Sequence, residues 1–332
     1  MDHKNASVRE IARITGVSIS TVSRVLNNSG NVSSETRKKV QKVIDEYNYV
    51  PNISARNVFS KHSRTVAMFI LDIFNPFFAA LIKEISALAI THDYALFICD
   101  TENNPEIEKK YIDYCMGIRA KGIIFTEGHS IALDAMVDPS TNLVFHDRFY
   151  SDRFNSVYCN NQKGISLAVD YLYNLNHRKF AFIGFSPNIR SSAERKYAFV
   201  KALHEKGIEV TEDYIIQGDL NFKSGAAALD KVCSLPEKPT AIICSNDQIA
   251  KGFIVKANSI NMKVPDDFSV IGFDGVDNDK FYPKLTTVKQ DIHTIAEKLF
   301  EFATKDTSTV ESFKTDVSLV IGNSCMKCQD TE

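Results

Sequence analysis

The sequence predicts two parts of different fold class: a small all-α head, and an α/β body of two lobes built on parallel, doubly wound sheets. Three observations carry this expectation. Apolar residues recur at helical spacing through residues 1–50, with Gly16 between two short amphipathic segments. From Thr65 onward, continuous apolar runs alternate with amphipathic stretches, one strand–loop–helix unit in every ~25–30 residues. Charge divides along the same line: residues 1–64 hold 11 Lys and Arg against 5 Asp and Glu, a net of +6, so the rest carries −8 within a total of −2.

The head is read first. Ser7 and Glu10 fit a capping box, and Val8, Ile11, Ala12 and Ile14 give a first helix its apolar face. Gly16 can take the backbone angles that a sharp turn between helices requires. Ser18 can cap a second helix whose buried side is Val22, Val25 and Leu26. Its outward side carries Ile19, Ser20, Thr21, Ser23, Arg24 and Asn27, short and lightly charged side chains of the kind a helix in a DNA major groove presents. A hairpin like this also serves simply to pack on a neighbour, but an excess of six positive charges favours phosphate. A third helix is expected from Ser33 to about Tyr47, where Val40, Val43, Ile44 and Tyr47 complete a three-helix core. Arg37, Lys38, Lys39 and Lys42 then form a solvated face with a diffuse electrostatic role. Pro51 closes that segment, and Asn52 fits as the cap of a short helix from Ile53 to Val58. A helix of that length is unstable alone; it is expected to form when two copies pair on DNA.

In the body, TVAMFIL, YALFICD, GIIFTEG, LVFHD, KFAFIGF, AIICSND and FSVIGFD read as parallel strands buried on both faces. FFAALIKEISALAITH and EIEKKYIDYCMGIRA are long enough for crossover helices. Ligands of such sheets collect beyond the C-terminal ends of the strands. The polar residues there are Asp72, Phe74, Asn75, Asp147 and Arg148 in the first lobe, and Ser191, Arg195, Asn246, Asp247 and Asp274 in the second. Carboxylates, amides, one Arg fork and a flat aromatic suit the hydroxyls and apolar faces of a sugar. A purine or a phosphorylated sugar suits them less, since the set holds several carboxylates and few cations.

Catalysis finds little support. The eight His are scattered and none forms a nucleophile motif; there is no Walker loop and no GxGxxG after the first strand. Cys325-x-x-Cys328 lacks a second pair, so no metal and no cofactor is expected. Seven cysteines, an odd number without a framework, suit a reducing cytoplasm. No signal peptide opens the chain and no apolar run reaches membrane-spanning length, which argues against a membrane protein and against an exported solute-binding protein.

The stretches VREIARITGVSISTVSRVLN, YVPNISARNV, DIFNPFF, NHRKFAFIG, CSNDQIAKG, VPDDFSVIGFD and PKLTTVKQD, in this order, resemble the LacI family of bacterial repressors along nearly the whole chain. The resemblance implies a helix-turn-helix domain over residues 1–50 and a hinge helix and linker over 51–64. It also implies a periplasmic-binding-protein-like effector and dimerisation domain over 65–324, ahead of a polar tail over 325–332. The first lobe would span about 65–162 and 292–324, and the second about 163–291. Ile19, Ser20 and Arg24 fall where the family reads bases, and Thr21, Ser23, Asn27 and Asn52 where it holds phosphates. Ala55, Arg56 and Val58 belong to the hinge segment, where Val58 replaces the usual wedging Leu. Asp147, Arg195, Asn246 and Asp274 match positions that hold a sugar inducer. Phe222 offers a stacking face where several relatives place a Trp, in a chain that has none. Asn160 and Ala198 stand where Asp and Gly are common. The implied partners are a near-palindromic double-stranded DNA operator, a second copy of the chain as a homodimer, and a sugar-like effector. A phosphorylated carrier protein as corepressor, as in a global catabolite regulator, is the alternative. The tail lacks the leucine heptad of a tetramer joint.

Overall fold

The computed structural model describes residues 7–26, 30–49, 62–126, 133, 136–148, 150–276, 281–306 and 309–329. They fall into two compact units, divided between Ser63 and Arg64.

In the first unit, helix α1 (Val8–Thr15) starts at Ser7, whose Oγ accepts the Glu10 N–H at 3.2 Å, and ends at Gly16 with φ 64°. Helix α2 (Ile19–Leu26) starts at Ser18, whose Oγ accepts the Thr21 N–H at 3.1 Å. Helix α3 (Ser34–Glu46) is capped by Ser33 in the same way at 3.2 Å. Ile11, Ala12, Val22, Val25, Val40, Val43 and Ile44 form the core. Two expected core residues lie elsewhere. Ile14 is 38% exposed, because it sits roughly a quarter turn off the face shared by Ile11, Ala12 and Thr15. Thr15 takes the buried place by donating its hydroxyl to the Ile11 carbonyl at 2.6 Å. Tyr47 is 40% exposed at the end of α3; the chain reverses at Asn48 (φ 44°), and Tyr49 packs on the core instead. The expected helix from Ile53 to Val58, with Asn52, Ala55, Arg56 and Val58, lies outside the described residues, as does Asn27.

The second unit holds two sheets of six strands. The first contains β1 (Thr65–Ile70), β2 (Ala95–Asp100), β3 (Gly122–Phe125), β4 (Asn142–His146), β5 (Asn155–Cys159) and β11 (Ser312–Thr315), in the order β11-β5-β4-β3-β1-β2. All its pairings are parallel. The second contains β6 (Phe180–Phe185), β7 (Ile215–Gln217), β8 (Ala241–Cys244), β9 (Ser269–Asp274), β10 (Thr286–Gln290) and β12 (Val317–Val320), in the order β12-β10-β9-β8-β6-β7. Here β12 alone runs antiparallel, on β10.

Alternate residues of β1 show why its sequence is apolar throughout. Val66, Met68 and Ile70 pack beneath α4 (Pro76–Thr91) and α10 (Ile292–Thr304), while Ala67 and Phe69 pack on the opposite side against α5 (Pro105–Gly117). The second sheet is covered on one face by α6 (Asn161–Asn174) and α7 (Arg190–His204), and on the other by α8 (Phe222–Cys233) and α9 (Asp247–Ser259). Strand β2, read as buried on both faces, is an edge strand with only Cys99 buried, since no further strand covers its outer side among the described residues.

The chain passes between the sheets three times, at Cys159–Asn161, Gln290–Ile292 and Thr315–Val317. The last passage moves the expected lobe boundary. Val317–Val320 pairs with β10, so the first lobe ends at Thr315 rather than at residue 324. The expected polar tail is docked as far as Cys328: Met326 accepts from the His177 ring at 3.0 Å, Cys328 N–H donates to Leu175 at 2.8 Å, and Cys325 packs on the second lobe's core. Backbone groups and a half-buried thiol outweigh the polar character of the side chains.

Candidate functional site

Two sites follow from this arrangement. On the head, Val22 and Val25 turn inward, which leaves Ile19 (51% exposed), Ser20 and Arg24 outward, with Thr21 and Ser23 half-buried between. Ser18 Oγ lies 2.7 Å from Ser20 Oγ and 2.9 Å from Thr21 Oγ1, so a hydroxyl cluster marks the start of α2. Arg24 makes no ion pair among the described residues, and Lys42 meets only Glu46 at 3.8 Å in solvent. The face is therefore positive and open to an anion.

The second site lies at the C-terminal ends of the strands, between the lobes. Arg195 of α7 is buried. Its Nε donates to Asn161 Oδ1 at 2.8 Å and its Nη1 to the Ser245 carbonyl at 2.6 Å, and the guanidinium lies 3.7 Å over the Phe273 ring. Asp274, at the end of β9, is 3.8 Å from Arg195 and accepts from Gln290 Nε2 at 2.8 Å. Burial pushes its carboxyl up to about 7, against the pull of Arg195 and with the help of Asp247 and Asp147. Across the cleft, Asp147 has φ 49° and accepts the Cys159 N–H at 2.9 Å. His146 stacks on Phe77 at 5.8 Å, and burial holds its imidazole below its usual value, hence neutral.

Around this group, His146 Nδ1 and Nε2, Ser191 Oγ, Ser245 Oγ and Gln290 Oε1 are buried with no hydrogen-bond partner. Leaving such groups unpaired costs roughly 1–3 kcal/mol each, so a polar occupant is the natural complement. Toward the cleft's mouth lies a cavity of about 380 Å³, lined by Asp72, Asn75, Glu102 and Asn103 from one lobe and Ser186, Asp219 and Asn221 from the other.

The expected residues divide accordingly. Asp147, Ser191, Arg195 and Asp274 come together. Asn246 stands at the edge as the cap of α9, accepting from Ile249 at 2.9 Å and donating to Leu220 at 2.9 Å. Asn75 caps α4 and lines the cavity. Phe74 is 89% exposed, and Phe222, 41% exposed, starts α8 next to the lining Asn221. Arg148 is a correction: it forms a buried two-pronged pair with Glu108 (2.9 and 3.1 Å) and covers Phe125. A buried carboxylate binds the fork better than a cleft shared with solvent. Asp247 accepts the Gly275 and Val276 N–H groups and the Thr287 hydroxyl, a structural tie from α9 to β10 and to the turn after β9. Ser245, Gln290 and Asn161 escape the sequence reading: Gln290 ends TTVKQ and Asn161 follows NSVYC, neither a continuous apolar run, and Ser245 is a small hydroxyl ahead of Asn246 and Asp247. Among the described residues there is no cluster of His, Cys, Asp or Glu able to hold a metal, and no helix long and apolar enough to cross a membrane.

Known proteins resemble this chain in sequence and fold. The profile of bacterial regulatory proteins of the lacI family matches residues 7–52, and that of a periplasmic binding protein-like domain matches residues 169–325. The HTH-type transcriptional repressor CytR of Escherichia coli (strain K12) is 33% identical over 298 residues, 88% of this chain and 87% of its own. The repressor PurR of Vibrio vulnificus (strain CMCP6) is 30% identical over 302 residues, 89% of this chain and 90% of its own. In structure, the lac repressor dimer bound to operator and the anti-inducer ONPF matches with a TM-score of 0.84 at 25% identity, over 97% of this chain and 100% of that one.

Proposed function

The chain belongs to the LacI family of bacterial regulatory proteins, and from that premise we propose that it represses a carbohydrate-utilisation operon under control of a sugar-like molecule bound between its lobes. It is a DNA-binding transcriptional repressor and not an enzyme. It works in the cytoplasm as a homodimer, which sets two α2 helices in successive major grooves of a near-palindromic operator. Ile19, Ser20 and Arg24 meet base edges; Thr21, Ser23, Asn27 and Asn52 meet phosphates; Ala55, Arg56 and Val58 enter the minor groove.

One observation carries the effector reading: the buried, unpartnered atoms of His146, Ser191, Ser245 and Gln290 surround the Arg195–Asp274 pair. They offer donors and acceptors from both lobes, with one buried cation, as a neutral polyol requires. A ligand joining Asp147 and His146 to Arg195 and Asp274 bridges the three crossovers, and so alters how the lobes close.

The test is a thermal-shift screen of the full chain against D-ribose, D-glucose, D-galactose, cellobiose, their phosphates and nucleosides. A neutral sugar is expected to raise the midpoint, by about 2.7 kcal/mol of stabilisation at a hundredfold excess over Kd. Arg195→Met and Asp274→Asn should abolish that rise and keep operator affinity within about threefold, since neither residue belongs to the DNA-binding unit. Silence across the panel overturns the reading and points to a protein corepressor.

A further inference from the structure

We infer that Gly30 sets the position of the Arg24 guanidinium, and through it the base preference of the head. This rests on the reading of Arg24 as a base-contacting residue.

Arg24 stands in the last turn of α2, exposed, with no ion pair among the described residues to hold its end. The place of its fork is therefore governed by what its hydrocarbon stem lies against. That neighbour is Gly30, which lies against the stem. A Cβ on Gly30 would stand 3.2 Å from Arg24 Cδ, 3.5 Å from Cγ and 3.6 Å from Nε. Any side chain at residue 30 must displace the stem by a few tenths of an ångström. Arg reads guanine through two parallel hydrogen bonds from a rigid fork, so such a displacement acts on base choice. Phosphate contacts elsewhere on the head are unaffected.

The head supplies its own control. Gly30 has φ 71° and Gly16 has φ 64°, so a side chain strains the backbone comparably at either. Around Gly16, however, nothing lies within 4 Å of a Cβ. Strain is common to the two positions; contact with Arg24 belongs to Gly30 alone.

The experiment uses the full chain and a randomised duplex pool to select a preferred operator, then compares its affinity with that of a scrambled duplex. Gly30→Asn, whose side chain tolerates left-handed backbone, should lower this ratio by about three- to tenfold with an unchanged salt slope. Gly30→Ala should lower it in the same direction, and Gly16→Asn should keep it while showing a similar change in thermal midpoint. In an Arg24→Ala background, Gly30→Asn should have no further effect on the ratio. A Gly30→Asn loss that persists in that background, or a ratio unchanged by both Gly30 variants, overturns the inference. If Arg24→Ala alone leaves the ratio unchanged, the base-contact reading falls and the inference falls with it. A Gly30 effect absent beside a large Arg24 effect sinks the inference alone.

Discussion

The folded state keeps a proton on Asp274 that the unfolded chain gives up. Its carboxyl moves from the ordinary 3.8 to about 7 because burial penalises the charge more than Arg195 and Gln290 relieve it. A raised carboxyl means that the native state binds more protons across this window, so this group's contribution to stability falls as pH rises from 3.8 through about 7. Asp274→Asn should flatten that part of the stability–pH curve, measured by urea unfolding at pH values spanning the window. His146 works in the opposite sense: held neutral by burial, it costs stability as pH falls below its usual 6.5. A ligand hydroxyl donating to Asp274 favours the carboxylate, so effector binding should release a proton and tighten as pH rises toward about 7. Calorimetry in buffers of different ionisation enthalpy reads that proton directly; a buffer-independent heat would remove Asp274 from the contacts. On the head, Arg24→Ala should cost about 1–3 kcal/mol of discrimination between operator and scrambled duplex, measured by fluorescence anisotropy. Arg148 shows the limit of reading single residues. Next to Asp147 in sequence, it reads as a pocket cation, yet Glu108, 40 residues away, captures it.

Elements were legible where one local rule governed them. Ser7, Ser18 and Ser33 each cap a helix at the expected place, because a cap depends on residues only a few positions apart. Ser33→Ala should lower the head's stability by about 1 kcal/mol, seen as an earlier thermal transition of residues in α3 by hydrogen exchange. The strands buried on both faces, β1, β3, β4, β6, β8 and β9, announced themselves by unbroken apolar runs. Strand β5 did not, since its burial alternates along NSVYC; nor did β12, which exists because β10 offers it an edge. The Glu108–Arg148 pair joins α5 to the turn after β4, with side chains 5% and 2% exposed. Removing one partner leaves a buried charge, so Glu108→Gln should destabilise the first lobe by about 3–5 kcal/mol in denaturant titrations. Replacing both partners by apolar residues should recover much of that loss.

At the scale of the molecule, the proposed repression couples two sites through one chain. If the effector changes operator affinity by some factor, operator must change effector affinity by the same factor, and unequal factors would mean that the measurements do not share one equilibrium, as when dimers dissociate in some of them. The division of charge, +6 in residues 1–64 and −8 beyond, directs phosphate to the head and keeps the body off the DNA. Periodicity, capping residues and that division are local or additive properties, and they suffice to specify an α-helical DNA-binding head and a parallel α/β body with polar residues gathered at its strand ends. Tertiary structure alone decided which polar residues share the cleft. It brought Asp147 opposite Arg195 and Asp274, sent Arg148 to Glu108, recruited Gln290 and Ser245, and folded the last strand and the tail onto the second lobe. The physical reason is that burial and hydrogen-bond pairing are settled among residues far apart in the chain, and each buried charge goes to the partner that compensates it best.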